Sequence, residues 1–470
     1  MLPDWTVVGF TGHRKIADPT AVGGGISAAL NGLATTHPSM LAISSLATGS
    51  DTLFVRDVAR RGVPFLLIFP FPGGRFREDF TPEEWLAAAP LMEQAAYIEE
   101  VRGSESDEEA YMEAGVRTVD QADVVLAVWD GHPPAGLGGT GDVVAYAREL
   151  NKPLLLLDPA TGAVVKERID QLRDIGTPTD WSGAPRQTVE RHYRELDEAA
   201  TREAPHVRHL IQRIVVLHLT ASVLGLTALA LHIGGLAGYG VALLEIVLLG
   251  TAFALTARRR HAHVEWMKAR IEAELCRSFL ATWPMRARMG SPPRLAIQGF
   301  ERLARNLRLL QQMDRSPSPS LEVACREYLE GRVRHQIDYF SRQCGKAQHS
   351  YRRLTRLAML STALAALLAA GHLVLSIIHV EGPALATTEL LSLVLPLVSA
   401  ALLSLVLTQE HSRRASRYRE MVSLLEEAAR RLSAARTWAG LTRVVTETEE
   451  ALLNEVVEWH TFRRFASEPH

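Results

Sequence analysis

The chain has 470 residues, of which 22% are charged and 47% hydrophobic, and its formal net charge is −2. The chain has no basic excess to support a nucleic-acid partner, so none is expected, and the first residues lack the basic flank and apolar core of a secretory signal peptide. We therefore expect the N-terminal part to stay in the cytoplasm, and the average composition to combine a polar half with an apolar half.

Short apolar runs alternate with helical patterns in the first third of the chain. The predicted strands are residues 6–10, 40–44, 64–69, 123–129 and 153–157, and the predicted helices are 20–36, 51–61, 83–100, 108–121 and 142–150. This alternation predicts an α/β domain with a mostly parallel sheet covered by helices on both faces. Ligands of such sheets bind outside the carboxyl ends of the strands.

Polar residues and glycines follow three of the predicted strands. Their hydroxyl, imidazole and guanidinium groups, with glycines that allow close backbone approach and a helix N-terminus, suit an anionic ligand. Ser50 and Asp51 also fit a simple helix N-cap. The candidate ligand-binding residues are Thr11, Gly12, His13, Arg14, Thr48, Gly49, Ser50, Asp51, Trp129, Asp130, Gly138, Gly139, Thr140, Gly141 and Asp142.

Four ordered motifs in this region resemble the SLOG superfamily over residues 6–159. They are GFTGHR at 9–14, SLATGSD at 45–51, ADVVLAVWDG at 122–131 and GGTGDVVAYA at 138–147. The resemblance implies a Rossmann-like fold that holds the phosphate and ribose of a nucleotide or nucleotide-derived ligand in these loops. The superfamily includes the LOG phosphoribohydrolases and ligand sensors of bacterial conflict systems.

One departure from the LOG pattern bears on catalysis. Aligning the Gly-Thr of the LOG loop with Gly139 and Thr140 places Val143 where LOG enzymes carry a glutamate. Valine cannot act as an acid, a base or a hydrogen-bond partner of ribose. We therefore expect ligand binding without a catalytic residue. The alternative is a membrane-tethered nucleotide or NAD hydrolase that uses Asp51, Asp130 or Asp142.

Four apolar stretches follow, at residues 214–233, 239–257, 357–378 and 390–408, each close to the ~20 residues that span a bilayer. Glu245 is the only formally charged residue in them. The connectors 234–238 and 379–389 lack Lys and Arg, whereas the segments before and after each pair of apolar stretches are rich in Arg. The positive-inside rule therefore predicts two hairpins in the inner membrane, with both termini in the cytoplasm.

Each apolar pair is followed by an amphipathic helical pattern, which indicates an internal duplication. The apolar stripes comprise Ile271, Leu275, Phe279 and Trp283 after the first pair, and Tyr418, Met421, Leu425 and Leu432 after the second. A helix, a membrane hairpin and a helix beside a SLOG-like domain resemble the SLATT two-helix membrane effectors, here in tandem. The resemblance implies a pore-forming or membrane-disrupting effector of antiviral, anti-phage defence.

These patterns divide the chain into six segments. They are a SLOG-like domain (1–165), a helical linker (166–208), a first hairpin (209–258), a cytoplasmic helical segment (259–354), a second hairpin (355–408) and C-terminal cytoplasmic helices (409–470). Cys276, Cys325 and Cys344 lack metal-ligand spacing, so we expect structural thiols and no metal site.

Two polar residues within the apolar stretches lie at a similar depth from the outer side. Ionisable groups in hydrocarbon are costly and often mark a path for ions. We hypothesise that Glu245 and His372 face each other or a water-filled path. A protonated Glu245 at a helix contact and a hydrogen-bonded His372 in ordinary packing would equally fit the sequence.

The combined expectation is a homo-oligomeric membrane effector gated by a signalling nucleotide, either an ADP-ribose derivative or a cyclic nucleotide. Its expected partners are that nucleotide, membrane lipid and an upstream enzyme that makes the nucleotide. No other cofactor is expected. A transporter with inverted repeats is disfavoured, because both hairpins have the same orientation.

Overall fold

The computed structural model describes residues 2–133, 136–173, 184–286, 288–289, 300–379, 382–408 and 411–465. It divides into two compact units, Met1–Val189 with Glu301–Ser316, and Glu190–Phe300 with Pro317–His470. We call the first the sheet unit and the second the helical unit. The sheet unit is an α/β domain and the helical unit carries several long apolar helices, so the predicted fold class is confirmed.

In the described part of the chain, seven strands form one sheet in the order β4-β3-β2-β1-β5-β6-β7. All neighbouring pairs are parallel except β6 and β7, which are antiparallel. Val8 of β1 pairs with Ala42 on one side and with Val124 on the other, which makes β1 a central strand. The strands are β1 (Thr6–Gly12), β2 (Met40–Ser44), β3 (Phe65–Phe69), β4 (Tyr97–Glu100), β5 (Val124–Val128), β6 (Leu154–Leu157) and β7 (Val164–Glu167).

Helices cover both faces of this sheet. Alternate residues of β5 illustrate the arrangement, because Val124, Leu126 and Val128 join one apolar cluster whereas Val125 and Ala127 join another. A strand buried on both faces reads as a continuous apolar run, as predicted for a parallel sheet. The helices are α1 (Pro19–Thr36), α2 (Ser50–Arg60), α3 (Gly73–Phe76), α4 (Pro82–Gln94), α5 (Asp107–Gln121) and α6 (Thr140–Glu149).

The predicted helix over residues 83–100 is wrong at its C-terminal end. A capping box between Thr81 and Glu84 begins α4, but the helix ends at Gln94 and Tyr97–Glu100 form the edge strand β4. Backbone pairing with β3 outweighs the helix preference of the two glutamates, Glu99 and Glu100. Strand β7, at the opposite edge, had no counterpart among the predicted strands.

A helix distant in sequence completes the sheet unit. Helix α9 (Glu301–Met313) lies at the amino-terminal ends of the strands, because Arg305 donates two hydrogen bonds of 2.8 Å to Asp123, directly before β5. Arg302 likewise donates to Asp4, shortly before β1. No sequence pattern predicts that residues 301–316 belong with the sheet.

Among the described residues of the helical unit, four helices are long and apolar enough to cross a membrane. These are α7 (Pro185–Ala230) and α8 (Gly235–Thr282), then α11 (His335–Ile377) and α12 (Pro383–Thr408). Many of their large apolar side chains are exposed, including Leu236 at 91% and Phe253 at 78%, as expected of surfaces that face lipid. The coarse prediction of a membrane protein is confirmed.

The remaining helices are α10 (Leu321–Tyr328), α13 (His411–Ala434) and α14 (Trp438–Phe465), with a π-helical turn, Leu329–Arg334, joining α10 to α11. The predicted apolar stripes after each hairpin are buried. The stripe of α13 packs in one cluster with Tyr328, Phe340 and Val445. Three hydroxyls, Ser361, Thr362 and Ser399, hydrogen-bond between α11 and α12, which fixes the second hairpin.

Candidate functional site

The strand order identifies where a ligand would bind. From β1 the chain proceeds outward through β2, β3 and β4, then returns to the other side of β1 with β5. The crevice between the carboxyl ends of β1 and β5 is therefore the topological switch point, the usual ligand site of open parallel sheets. The sequence alone did not give this order.

Two predicted site residues meet at this switch point. His13 follows β1, and its Nε2 lies 3.2 Å from the amide nitrogen and 3.3 Å from Oδ1 of Asp130, which follows β5. The neutral imidazole accepts the amide hydrogen, whereas the imidazolium donates to the carboxylate. Hydrogen bonding from the His132 amide, together with His13, lowers the pKa of Asp130. Both side chains are partly exposed, at 29% and 43%.

The corner after β2 packs directly on the corner after β1. Ser50 donates its hydroxyl to the His13 carbonyl at 2.9 Å, so it joins two loops and does not cap its own helix. Gly49 has φ of +82°, and a Cβ there would lie 2.1 Å from the Arg14 carbonyl oxygen. A Cβ at Gly12 would lie 2.3 Å from the Ser50 hydroxyl. Both glycines are thus required by close approach of the loops.

Asp51 lies beneath these loops and is almost fully buried, at 3% exposure. Its Oδ1 accepts a hydrogen bond of 3.0 Å from the Ser44 hydroxyl. Burial raises the pKa of Asp51 to about 7, although the Ser44 hydrogen bond and the Arg14 charge oppose the rise. Asp51 is therefore a carboxyl group that changes protonation near neutral pH.

Arg14 is exposed, and its guanidinium lies 4.4 Å from the centroid of the Tyr111 ring. The Tyr111 hydroxyl donates to Asp79, and burial is the main cause that raises the Tyr111 pKa to about 12. Gly138, with φ of +84°, packs against the same residue, because a Cβ there would lie 3.0 Å from the Tyr111 Cβ. Tyr111 thus contacts both the Arg14 guanidinium and Gly138 of the glycine loop.

Sequence reasoning missed both Tyr111 and Asp79. Tyr111 lies one turn inside α5 and Asp79 in a short turn after α3, so neither follows a strand of the sheet. Only the tertiary fold brings them beside Arg14. No sequence pattern distinguishes them from ordinary surface residues of those segments.

The glycine loop leads into α6. Gly139 is the N-cap residue and provides no side-chain cap, Thr140 and Gly141 begin the helix, and the Asp142 carboxylate accepts from the Gly138 amide at 2.9 Å. A helix N-terminus of this kind favours an anion. Val143 is buried at 3% exposure in the cluster between α5 and α6, so its side chain packs inside the domain.

The other candidate residues at this edge have local roles. Trp129 donates its indole hydrogen to the His132 carbonyl, which closes the loop after β5. Thr11 lies within β1 opposite Ala127, and Thr48 lies half-buried in the loop before α2. Among the described residues, no group of His, Cys, Asp and Glu side chains could hold a metal ion.

Glu245 and His372 each contact the other helix of their own hairpin. The Glu245 carboxylate oxygens lie 3.0 and 3.1 Å from the position of a Cβ at Gly225 of α7. His372 Nδ1 lies 3.4 Å from the Leu385 carbonyl of α12. These contacts agree with helix packing, and a shared path between the two residues stays a prediction.

The helical unit contains a buried network of ionic side chains that no sequence pattern predicted. Arg332 of the π-helical turn bonds to Glu274 of α8 at 2.9 Å and to Glu449 of α14 at 2.8 Å. All three residues are at most 4% exposed. Burial opposes ionisation of Glu274, yet Arg332, Arg277 and Arg270 outweigh it and lower the Glu274 pKa to about 2.

Comparison with known families matches a part of the helical unit. The family model described as SMODS and SLOG-associating 2TM effector domain 1, abbreviated SLATT_1, matches residues 328–459. The matched part contains the π-helical turn, the second hairpin and the helices α13 and most of α14. It is therefore similar to a two-span membrane effector domain. No curated protein matches the chain.

Proposed function

We propose that this protein is a nucleotide-gated membrane effector, in which a SLOG-like sheet unit binds a signalling nucleotide and thereby activates the membrane helices. The single observation that carries the proposal is the convergence of His13, Asp130 and Arg14 around the switch point of a parallel sheet. The family match supports the effector half, because its name associates such domains with SLOG proteins. Antiviral defence is the setting proposed for this activity.

The site chemistry suits a phosphate joined to a ribose. Arg14 can donate two hydrogen bonds to phosphate oxygens, and the N-terminus of α6 adds backbone donors and a favourable dipole. Asp130, held ionised by the His132 amide, can accept from a ribose hydroxyl. An ADP-ribose derivative and a cyclic nucleotide both present these groups.

Ligand binding must act on elements that belong to both units. The chain passes between the units within α7, after Val189, and again on each side of Glu301–Ser316. A ligand shifts the effector only by its difference in affinity for the resting and active states. We propose that displacement of the His13–Asp130 contact is the local change, and that an oligomer of effector hairpins is the active assembly in the inner membrane.

Small molecules retained by the full-length chain test this proposal. The protein would be purified from cells in which its production is toxic, and its bound small molecules identified by mass spectrometry. A nucleotide retained by the wild type and lost from a folded Arg14→Ala protein, which lacks the exposed cation of the loop after β1, would support the proposal. Toxicity from a protein that retains no nucleotide would contradict gating by this ligand class.

Asp51 supports one alternative, the membrane-tethered nucleotide or NAD hydrolase. A carboxyl group with a pKa of about 7 is suited to general acid–base catalysis at neutral pH. Incubation of the purified protein with the retained nucleotide separates the two proposals. Intact ligand supports a sensor, whereas turnover that Asp51→Asn abolishes supports an enzyme.

A further inference from the structure

A cleft of about 430 Å³ separates α7 of the first hairpin from α12 of the second. On α7 its lining runs from Ile211 to Ser222, and on α12 from Leu397 to Thr408. Each of these twelve-residue stretches of helix covers roughly 16 Å, about half of a 30 Å hydrocarbon core. By the charge pattern of the connectors, this is the cytoplasmic half.

Four of the eleven residues that line the cleft have polar side chains, and the other seven are apolar. His218, Ser222, Ser404 and Thr408 line the cleft together with the small residues Ala400 and Ala401. His218 Nδ1 lies 2.8 Å from the Ile214 carbonyl and therefore carries the hydrogen, which leaves Nε2 as an acceptor. Polar groups at membrane depth are tolerated where they line a water-filled cavity.

A carboxylate lies beyond the end of this lining, beside Gly225, which is three residues after Ser222 on α7. Positions 218, 222 and 225 share one face of α7, because they are spaced by four and three residues. A Cβ placed on Gly225 would lie 3.0 and 3.1 Å from the two Glu245 carboxylate oxygens, so the carboxylate packs against α7 at this glycine. The polar side of α7 thus leads from the cytoplasmic end of the cleft to an ionisable group near mid-membrane.

We propose that this cleft is a water-filled vestibule that opens to the cytoplasm and ends at Glu245, and that it forms the inner half of the conductive path. The inference rests on the proposed effector function. It places the barrier to ion flow in the outer half of the membrane. The competing occupant is a lipid acyl chain, which would keep the cleft dry.

Cysteine accessibility tests the vestibule without knowledge of the ligand. In a full-length chain freed of Cys276, Cys325 and Cys344, the near-isosteric changes Ser222→Cys and Ser404→Cys place thiols in the cleft. Membrane-impermeant thiosulfonates, which react with the thiolate formed in water, would be applied to inside-out and right-side-out vesicles. Matched controls are Val216→Cys and Leu403→Cys, which lie about 130° around the same helices and are exposed at 57% and 43%.

We expect both cleft cysteines to react from the cytoplasmic side more than about tenfold faster than the controls, because hydrocarbon suppresses thiolate formation. Equal, slow rates at all four positions would overturn the vestibule and indicate a lipid-filled cleft. Each variant would first be shown to insert and to assemble as the native chain does.

Reagents of opposite charge test the role of Glu245. A cationic thiosulfonate should modify Ser222→Cys faster than an anionic one of similar size, and Glu245→Gln should abolish this preference. An unchanged preference in Glu245→Gln would show that the path does not end at Glu245. Membrane depolarisation, measured separately, distinguishes failure of the vestibule from failure of the effector function. If the protein depolarises membranes but its cleft cysteines do not react, the vestibule alone is rejected. If the protein does not depolarise membranes, the effector function is rejected.

Discussion

Single residues at the carboxyl edge of the sheet have separable roles in structure and in binding. Ser50, Gly12 and Gly49 hold the loops after β1 and β2 against each other. Arg14 and Asp130 are exposed and present opposite charges beside the switch point. Substitutions in the first group should therefore impair folding, whereas those in the second should impair ligand binding.

Arg14→Ala should weaken binding of the retained nucleotide by about 1.5–3 kcal/mol, the value of a hydrogen bond to a charged group. The fold should persist, because the Arg14 side chain is exposed; the substitution removes its contact with Tyr111 and its charge near Asp51. Isothermal titration of the detergent-solubilised protein measures the change. Lys15→Ala is the matched control, since Lys15 is the exposed neighbouring cation. Equal losses in both variants would mean that the domain attracts the ligand by general charge only.

Asp51 should make the sheet unit less stable as pH rises. Its folded pKa of about 7 exceeds the ordinary value of 3.8, so the folded state binds the proton more tightly between these values. Stability should therefore fall from pH 4 to pH 7 by an amount on the order of 3 kcal/mol, with little further change above that range. Hydrogen exchange of the β1 and β2 amides measures it locally.

Asp51→Asn is the companion variant. Asparagine keeps an oxygen that accepts from Ser44 but cannot ionise, so it should remove most of this pH dependence and stabilise the unit above pH 7. A pH dependence equal to that of the native chain would show that Asp51 stays ionised throughout. The difference between the two proteins isolates Asp51 from other titrating groups.

At the scale of elements, the π-helical turn Leu329–Arg334 joins three helices of the helical unit. The turn carries Arg332 into contact with α8 and α14 through two buried carboxylates. A π-helical turn in an otherwise α-helical segment is uncommon and often marks a functional position. Here it links the part of α8 that extends beyond the first apolar pair to α14, the C-terminal helix that follows the second.

Arg332→Met should destabilise the helical unit by about 3–5 kcal/mol, because it leaves Glu274 and Glu449 buried without their shared cation. Arg334→Met is the matched control in the same turn. Its ion pair with Glu330 is exposed, at 61% and 50%, and should contribute at most about 1 kcal/mol. Thermal unfolding of the full-length protein measures both. Similar melting temperatures for the two variants would contradict a structural role for the buried network.

At the scale of the whole chain, the sequence predicted the fold class, five of the seven strands and the positions of four apolar helices. These depend on local apolar patterns, which the structure preserves. Strand β4, helix α9 and the Tyr111–Asp79 contact depend on partners far away in sequence, and no local pattern encodes them. The site could therefore be placed at one sheet edge, but its aromatic and acidic neighbours could not be foreseen.

The orientation in the membrane follows from the charge pattern and remains a prediction. Cysteines placed at Leu236 and Ile378, exposed at 91% and 61% beside the two arginine-free connectors, should react with impermeant reagents only from outside. A cysteine at Arg413 should react only from the cytoplasmic side. Labelling of either connector from the cytoplasm would contradict the two-hairpin topology.

Helix α9 has a consequence for biogenesis. The ribosome completes β1 to β7 long before it reaches Glu301, and the whole first hairpin is synthesised in between. Until then Asp123 lacks its two hydrogen bonds from Arg305, and Asp4 lacks Arg302. The nascent sheet unit is therefore incomplete while the first hairpin enters the bilayer, and a truncated chain of residues 1–189 should be less soluble than one supplied with a peptide of residues 301–316. The sheet unit is thus completed only after the first hairpin has been synthesised, so its last folding step takes place on a chain whose first membrane segments have already been made.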